Sequence, residues 1–260
     1  MKNKPKFKVN DKVDGRINLA RRMQLMQHHT GTHILNGAAR KILGKHIWQH
    51  GASKDMDKAR LDITHYESLT EEQVKKIEDY ANYIIESKIP IKKSFMLRNE
   101  AEKKYGVTIY QGGVAPGKYL RIVNIENFDV EACGGTHADN TGEVENIKII
   151  KTSKIQDGIV RIEFVAGKRS KQIMGKDEEL VEKIAELLDS TIEEIPGRVE
   201  ELFDKWKDIV KKGKKEIFKL SSNKKFKGDV IKEAAKILKT QPEHLEKTIK
   251  RFLDEIKKEL

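Results

Sequence analysis

The sequence has little cysteine, no long apolar run and a small apolar fraction. Its single cysteine, Cys133, excludes an intrachain disulfide, and such low cysteine usage is typical of reducing compartments, so we expect a cytoplasmic protein. The N-terminal segment MKNKPKFKVN is basic but lacks the apolar core of a signal peptide. No stretch is long and apolar enough to predict a membrane span, so no membrane partner is expected.

The balance of apolar and charged residues limits the function classes. Of 260 residues, 37% are hydrophobic and 36% are charged, which predicts a thin core and extensive charged helix surface. The length suits one or two domains. The net charge of +11 favours a polyanionic partner. Nucleic acid is favoured over membrane because no amphipathic Lys/Trp helix is present.

Hydrophobic periodicity predicts a mixed N-terminal part and a helical C-terminal part. Alternation of apolar and polar residues over 5–17 predicts two short strands around Asn10-Asp11. Helical spacing predicts helices over 18–43 and from the capping box at Thr70 to Ser87. Further strands are predicted over 46–53, 59–65, 89–97, 120–126, 145–155 and 158–165. The fold class is therefore α+β with a largely antiparallel sheet, followed by an all-α tail.

Strand signals end after Gly167, which marks the clearest domain boundary. The expected segments are 1–17, 18–167 and 168–260. Within the last, residues 185–207 match residues 235–257 at an offset of 50, which predicts two αα-hairpins in a small bundle. The first copy carries an apolar face that one hairpin is too short to bury, which favours a homodimer; it comprises Leu187, Ile195, Val199, Leu202, Phe203 and Trp206.

Histidines are concentrated in the segment HHTGTH, residues 28–33. On a helix, residues four apart share one face, so His29 and His33 can bind one ion, whereas His28 is rotated away. Such a pair alone is more often a surface or core feature than a metal site.

A second pair, in the segment CGGTH, raises the probability of a metal site. Cys133 and His137 are also four apart, and the two intervening glycines allow a tight turn. Zinc takes four nitrogen or sulfur ligands, so the two pairs together predict a Zn2+ site. The alternative is a buried free cysteine beside a loop histidine. The chain has no HExxH motif and no zinc-finger spacing, and the loop YQGGVAPGKY lacks the ending of a phosphate-binding loop.

Four motifs occur in an order that resembles a known family. HHTGTHIL, QHGAS followed by ARLDIT, FDVEACGGTHADNTGEV and GIVRIEFVAG resemble the editing domain of alanyl-tRNA synthetase. The free-standing AlaX editing proteins and the second N-terminal domain of threonyl-tRNA synthetase share this core. The resemblance covers about residues 10–167, and the helical tail resembles the segment that follows this domain in archaeal alanyl-tRNA synthetases.

The resemblance implies hydrolysis of tRNA(Ala) wrongly charged with serine or glycine, with the acceptor end of tRNA(Ala) as partner. The metal ligands that it implies are His29, His33, Cys133 and His137, in a zinc-binding editing domain over 18–167. The glutamine that takes part in editing in this family corresponds to Gln49, although an alanine is inserted in Gly51-Ala52-Ser53. Thr30 is a further candidate for substrate contact, and both Gln49 and Thr30 are taken as catalytic candidates.

Each of these roles has a simpler alternative. Gln49 is equally well explained as a polar residue at a strand edge. Trp48 is expected to pack in the core rather than to stack on the terminal adenine.

Alanine is smaller than serine, so size cannot protect correctly charged tRNA, and a hydrogen bond to the serine hydroxyl must select the substrate.

The sequence departs from a complete synthetase. Nothing resembles an aminoacylation domain, and only residues 1–17 are expected to remain of the β-barrel that precedes the editing domain. We therefore expect a segment of a longer protein or one half of a split synthetase, with the separate aminoacylation half as its partner. Two alternative functions stay open: a non-catalytic tRNA-binding subunit with structural zinc, and a free-standing trans-editing hydrolase.

Overall fold

The structure is a computed structural model that describes residues 8–113, 115–214 and 217–260. Its contacts divide the chain into two compact units, Met1–Lys171 and Gln172–Leu260. The first contains two antiparallel sheets and the second contains helices, which confirms the α+β class with a helical C-terminal region. No helix in the described ranges has the length and apolar character needed to cross a membrane.

Helices and strands alternate irregularly in the first unit. Its elements are α1 (Leu19–Leu43), β1 (Gln49–Lys54), β2 (Ala59–Thr64), α2 (Glu71–Glu86), β3 (Ile91–Leu97), α3 (Arg98–Tyr105), β4 (Tyr119–Ile125), β5 (Asp129–Ala132), β6 (Ile147–Gln156) and β7 (Ile159–Ala166). One sheet has the order β1-β2-β7-β6 and the other the order β3-β4-β5, with every pairing antiparallel.

Helix α1 runs through the core of the first unit. It begins where the Asn18 side chain accepts the Arg21 backbone N–H, and Gly44, with φ 121°, ends it. Residues 30–39 are buried on all sides of the helix, so its polar side chains must find partners inside the protein. Gly31 allows the ring of Phe164 to approach, because a Cβ there would lie 3.2 Å from that ring.

The two strands predicted over 5–17 are wrong for the part that the structure describes. Residues 8–17 contain a turn at Val9-Asn10 and no strand, and residues 5–7 lie outside the described ranges. Val9 and Val13 are 92% and 66% exposed. An alternating pattern forms a stable strand only when a neighbouring strand and a buried face are available, and neither is present for these residues.

The short strand β5 was not predicted from the sequence. Its residues Asp129 and Glu131 are 3% and 1% exposed, so the acidic side chains occupy the buried face. Acidic residues are rarely buried without a partner, so the local pattern gives no signal for a strand with this buried face.

The helices after β7 repeat the same backbone path. They are α4 (Lys168–Leu188), which spans the division between the units, α5 (Ile195–Trp206), α6 (Val230–Ile237) and α7 (Leu245–Glu259). Asp189 and Lys239, fifty residues apart, have φ of 47° and 51°, and a 3-10 turn and a second helix follow each of them.

The apolar face of the first hairpin is covered inside this unit. Ile195, Val199 and Leu202 are at most 1% exposed and belong to one cluster with Ile249 and Phe252 of the second hairpin. This packing removes the reason for which a homodimer was predicted from that face, because the second hairpin covers it.

Candidate metal centre and adjoining cavity

The four predicted ligands meet at one point. His29 and His33 lie on α1, and Cys133 and His137 lie on the loop after β5; one ligand atom of each lies within 4.8 Å of the others. The Cys133 Sγ is 3.4 Å from His29 Nε2 and 3.3 Å from His137 Nε2. Ligand bonds of about 2.0–2.1 Å to nitrogen and about 2.3 Å to sulfur give a tetrahedral N···S edge of roughly 3.5 Å. The donor set and these spacings fit a tetrahedral metal ion.

His28 does not join this cluster. Its Nδ1 lies 2.6 Å from the carbonyl oxygen of Asp55, and its Nε2 lies 3.1 Å from Gln24 Nε2. This orientation agrees with the five-residue step from His33, which turns the ring to a different face of α1.

Of the two glycines between Cys133 and His137, only Gly135 is required by its surroundings. Neither Gly134 nor Gly135 is among the residues with positive φ, so a left-handed turn is not what requires them. A Cβ on Gly135 would lie 1.9 Å from Cε1 of His29, whereas a Cβ on Gly134 would meet nothing within 4 Å. Gly135 is therefore needed so that the loop can approach the ring of His29.

The surroundings of His29, His137 and Cys133 favour the protonation states that bind metal. Burial lowers the pKa of His29 to about 4, with a further contribution from the charge of Lys54. Burial, followed by the neighbouring histidines, also lowers the pKa of His137. Burial opposes ionisation of the Cys133 thiol, but a hydrogen bond and charge from His33 outweigh it and lower its pKa. Neutral imidazoles and a thiolate are the forms that bind zinc.

A buried carboxylate contacts one of the four candidate ligands. Glu131 Oε2 lies 3.3 Å from Nδ1 of His33. Asn36 Nδ2 donates to Oε1 of Glu131 at 2.7 Å, and Gln111 Nε2 donates to its other oxygen. A carboxylate in this position fixes the orientation of a metal-binding imidazole. His33, Asp129 and Glu131 also lie within 4.8 Å of one another, but Asn36 and Gln111 already engage both oxygens of Glu131.

Thr30 lies beside His137. Its Oγ1 accepts the backbone N–H of Ala138 at 3.1 Å and is 3.4 Å from Nδ1 of His137. The Thr30 side chain thus connects α1 to the loop that carries two ligands. Its contact with a substrate stays a prediction.

Gln49 lies in the wall of a cavity of about 540 Å³. The lining residues are Trp48, Gln49, His50, Thr64, Glu102, Val107, Tyr110, Gly112 and Gly113. Gln49 is 6% exposed, and its Oε1 has no hydrogen-bond partner among the described residues. Trp48 is 38% exposed, so its expected packing in the core is wrong. Its indole N–H donates to the carbonyl of Tyr110, which fixes the ring at the mouth of the cavity.

A β-bulge sets the direction of Gln49. Gln49 pairs with Ile63 and Gly51 pairs with Asp62, so His50 is an extra residue in β1. Strict alternation would put Gln49 on the opposite face from the even-numbered residues that follow it. The bulge puts Gln49 on the same face as Ala52 and Lys54 and accommodates the extra residue of the segment QHGAS.

The glycine-rich loop joins the cavity to the cluster. Tyr110, Gly112 and Gly113 line the cavity, whereas Gln111 between them reaches His33, with its Nε2 3.1 Å from the His33 Nε2. Gly112 has φ 70°, and a Cβ there would lie 2.4 Å from the carbonyl oxygen of His50. The sequence had indicated only a glycine-rich loop, and no local pattern distinguished Gln111.

Comparisons with known proteins show which proteins this chain is similar to. The model of the threonyl and alanyl tRNA synthetase second additional domain matches residues 120–163. Alanine–tRNA ligase of Methanococcus maripaludis (strain C5) is 50% identical over 206 residues, which cover 79% of this chain and 23% of the relative. That of Ignicoccus hospitalis is 54% identical over 176 residues, covering 68% and 20%. That of Pyrococcus furiosus is 44% identical over 217 residues, covering 82% and 24%.

The chain spans about a quarter of the length of these relatives, at 20–24%. The matched domain lies over β4, β5, β6 and most of β7 and includes the loop with Cys133 and His137. The resemblance recognised from the four motifs is thus confirmed: residues 120–163 match the second additional domain of threonyl and alanyl tRNA synthetases, and most of the chain is similar to one part of archaeal alanine–tRNA ligases.

Proposed function

We propose that this chain hydrolyses the ester bond of tRNA(Ala) that carries serine or glycine, with a Zn2+ ion held by the four-residue cluster. The observation that carries the proposal is the cluster of three histidines and one cysteine next to a cavity that contains Gln49. The relationship to alanine–tRNA ligases supports tRNA as the substrate.

The cluster residues and Gln49 have separate tasks in this proposal. His29, His33, Cys133 and His137 hold the ion. Zinc, when bound, supplies Lewis-acid polarisation of a carbonyl oxygen or lowers the pKa of water. The buried Oε1 of Gln49 has no hydrogen-bond partner among the described residues, so it is available to accept a hydrogen bond inside the cavity. A water molecule or a substrate hydroxyl in the cavity can donate to this oxygen.

The cavity accommodates the terminal nucleotide of the acceptor end. Trp48 presents a partly exposed ring at its edge, and stacking of a base on an aromatic ring contributes about 1–3 kcal/mol. Selection of serine over alanine requires a hydrogen bond to the serine hydroxyl. Gln49 Oε1 is the buried acceptor available for it, because the oxygen of Thr30 already accepts from Ala138.

The test is hydrolysis of charged tRNA by the purified protein. Zinc-loaded and zinc-stripped samples are incubated with Ser-tRNA(Ala) and Ala-tRNA(Ala), and release of the amino acid is followed. Zinc-dependent loss of serine with alanine spared is the expected result. Intact Ser-tRNA(Ala) in the presence of a folded, zinc-loaded protein that binds tRNA would refute it. That result would favour the non-catalytic tRNA-binding alternative, in which four protein ligands make the zinc structural.

A further inference from the structure

Lys54, the last residue of β1, lies on the same strand face as Gln49. It pairs with Ala59 of β2, and directly paired residues point to the same side of a sheet. Ala59 is 2% exposed and belongs to the core cluster that includes Ile34 and Leu35 of α1. The bulge in β1 puts Gln49 on this face as well. Both polar side chains are therefore directed toward α1, the helix that carries two of the cluster histidines.

The charge of Lys54 acts on the metal cluster. It contributes to the lowered pKa of His29, and the negative charges of Cys133 and Glu131 act on Lys54 in return, although burial is the largest influence and lowers its pKa. In the described ranges, no carboxylate or other acceptor forms a hydrogen bond or ion pair with its ammonium. A half-buried ammonium without a partner is costly, and such charges are concentrated at functional sites.

We infer that Lys54 is a further substrate-contacting residue of the proposed hydrolase, whose ammonium stabilises the negative charge that develops on the ester carbonyl oxygen. This inference rests on the proposed function. The ester must lie at the metal cluster for hydrolysis to occur there, and Lys54 supplies a positive charge on that side of β1 that forms no hydrogen bond or ion pair with a described residue. Charge stabilisation of this kind is usually a large contribution to ester hydrolysis.

The reaction balances without a proton from Lys54. The oxygen of water bonds to the carbonyl carbon, and the carbonyl electron pair moves to oxygen, where the ammonium faces it. When the carbonyl forms again, the bond to the ribose oxygen breaks, and that oxygen takes a proton that came from water. The products are the free amino acid and tRNA with its ribose hydroxyl.

The charge also orients the substrate. The α-ammonium of an aminoacyl ester is repelled by Lys54, so it is directed away from that side chain. The carbonyl oxygen then faces Lys54. A phosphate contact would leave this orientation unexplained, and it would act on substrate binding rather than on the chemical step.

The test compares Lys54→Met, Lys54→Arg and the control Lys58→Met in hydrolysis of Ser-tRNA(Ala). Lys58 lies in the same hairpin, is 56% exposed and pairs with Glu163, so its removal controls for the loss of one positive charge. We expect Lys54→Met to lower kcat by about 100-fold, as loss of one oxyanion contact does. Its KM should change by less than about threefold, and Lys54→Arg should recover most of kcat because the charge is retained.

A spectroscopic measurement separates this role from a structural one. The visible absorption of the cobalt-substituted protein reports whether the four ligands still bind in a tetrahedron, and it should be the same in Lys54→Met as in the wild type. An unchanged kcat in Lys54→Met, an effect on KM alone, or loss of the cobalt band would overturn the inference. A zinc-loaded wild-type protein that leaves Ser-tRNA(Ala) intact would instead refute the proposed function.

Discussion

Replacing Gly135 by alanine should destroy the metal site, whereas the same change at Gly134 should not. The new Cβ at position 135 would lie 1.9 Å from Cε1 and 2.4 Å from Nδ1 of His29, and ordinary contact begins at 3.4 Å. The ring of His29 or the loop must therefore move by about 1.5 Å, since 3.4 − 1.9 = 1.5. Metal-ligand distances tolerate deviations of only about 0.2 Å.

The predicted magnitude follows from the loss of one ligand. Disturbing even the partners of metal ligands weakens binding by about 10–100-fold, so we expect at least about 100-fold weaker zinc binding in Gly135→Ala. Overpacking should also lower the free energy of unfolding by about 1–3 kcal/mol. Gly134→Ala introduces the same methyl group into open space and should bind zinc as the wild type does.

The assay is competition for zinc against a chromophoric chelator, at a pH where the wild-type protein binds zinc. Circular dichroism of each variant shows whether it is folded. Wild-type zinc affinity in Gly135→Ala would refute the reasoning, because it would mean that His29 is not a ligand or that the loop moves freely. Equal losses in both variants would also refute it, since the contact with His29 distinguishes the two positions.

Three further predictions follow from individual contacts. Gln49→Ala should lower the rate of Ser-tRNA(Ala) hydrolysis by about 100-fold while zinc content, measured by atomic absorption, stays the same; an unchanged rate would exclude Gln49 from the reaction. Trp48→Ala should raise KM by about 5- to 100-fold through lost base stacking. Tyr66 is exposed and outside the cavity lining, so Tyr66→Ala should leave KM unchanged. Equal KM values in both variants would show that the base does not bind in the cavity. Burial alone would raise the pKa of Asp62, but hydrogen bonds and charge from Arg161 and Arg60 lower it. The stability that this carboxylate contributes is therefore present above its unfolded pKa of about 3.9 and is lost as the pH falls below that value. In urea denaturation, Asp62→Asn should therefore be less stable than the wild type by about 1–3 kcal/mol at pH 7, with a smaller difference at pH 3; a difference that does not shrink would contradict this origin.

Much of the secondary structure follows from local signals. The capping box in which Thr70 and Gln73 satisfy each other's backbone N–H groups begins α2 as predicted. Helix α1 ends at Gly44, whose positive φ is accessible to glycine because it has no side chain. These signals act within a few residues, so the sequence alone is enough to recognise them.

Signals that need a distant partner were misjudged. The sequence analysis gave Glu131 no role, yet Asn36 and Gln111, at separations of 95 and 20 residues, hydrogen-bond to its buried carboxylate. Trp48 looked like a core residue, yet the loop at Tyr110 holds its ring at the edge of a cavity. Burial of a polar group depends on whether the fold supplies its hydrogen bonds, and the local pattern carries no information on that.

By itself, the sequence predicted the two pairs of candidate ligands and the resemblance to alanyl tRNA synthetases. A separation of four residues puts His29 and His33 on one face of α1, and the four motifs in order identify the relationship to the alanyl tRNA synthetases. Only the tertiary structure decided that Cys133, 104 residues after His29, lies 3.4 Å from it. The tertiary structure likewise decided that a bulge turns Gln49 and Lys54 to the same side. Spacing along one helix follows from its geometry, whereas contact between segments depends on how the sheets pack around α1.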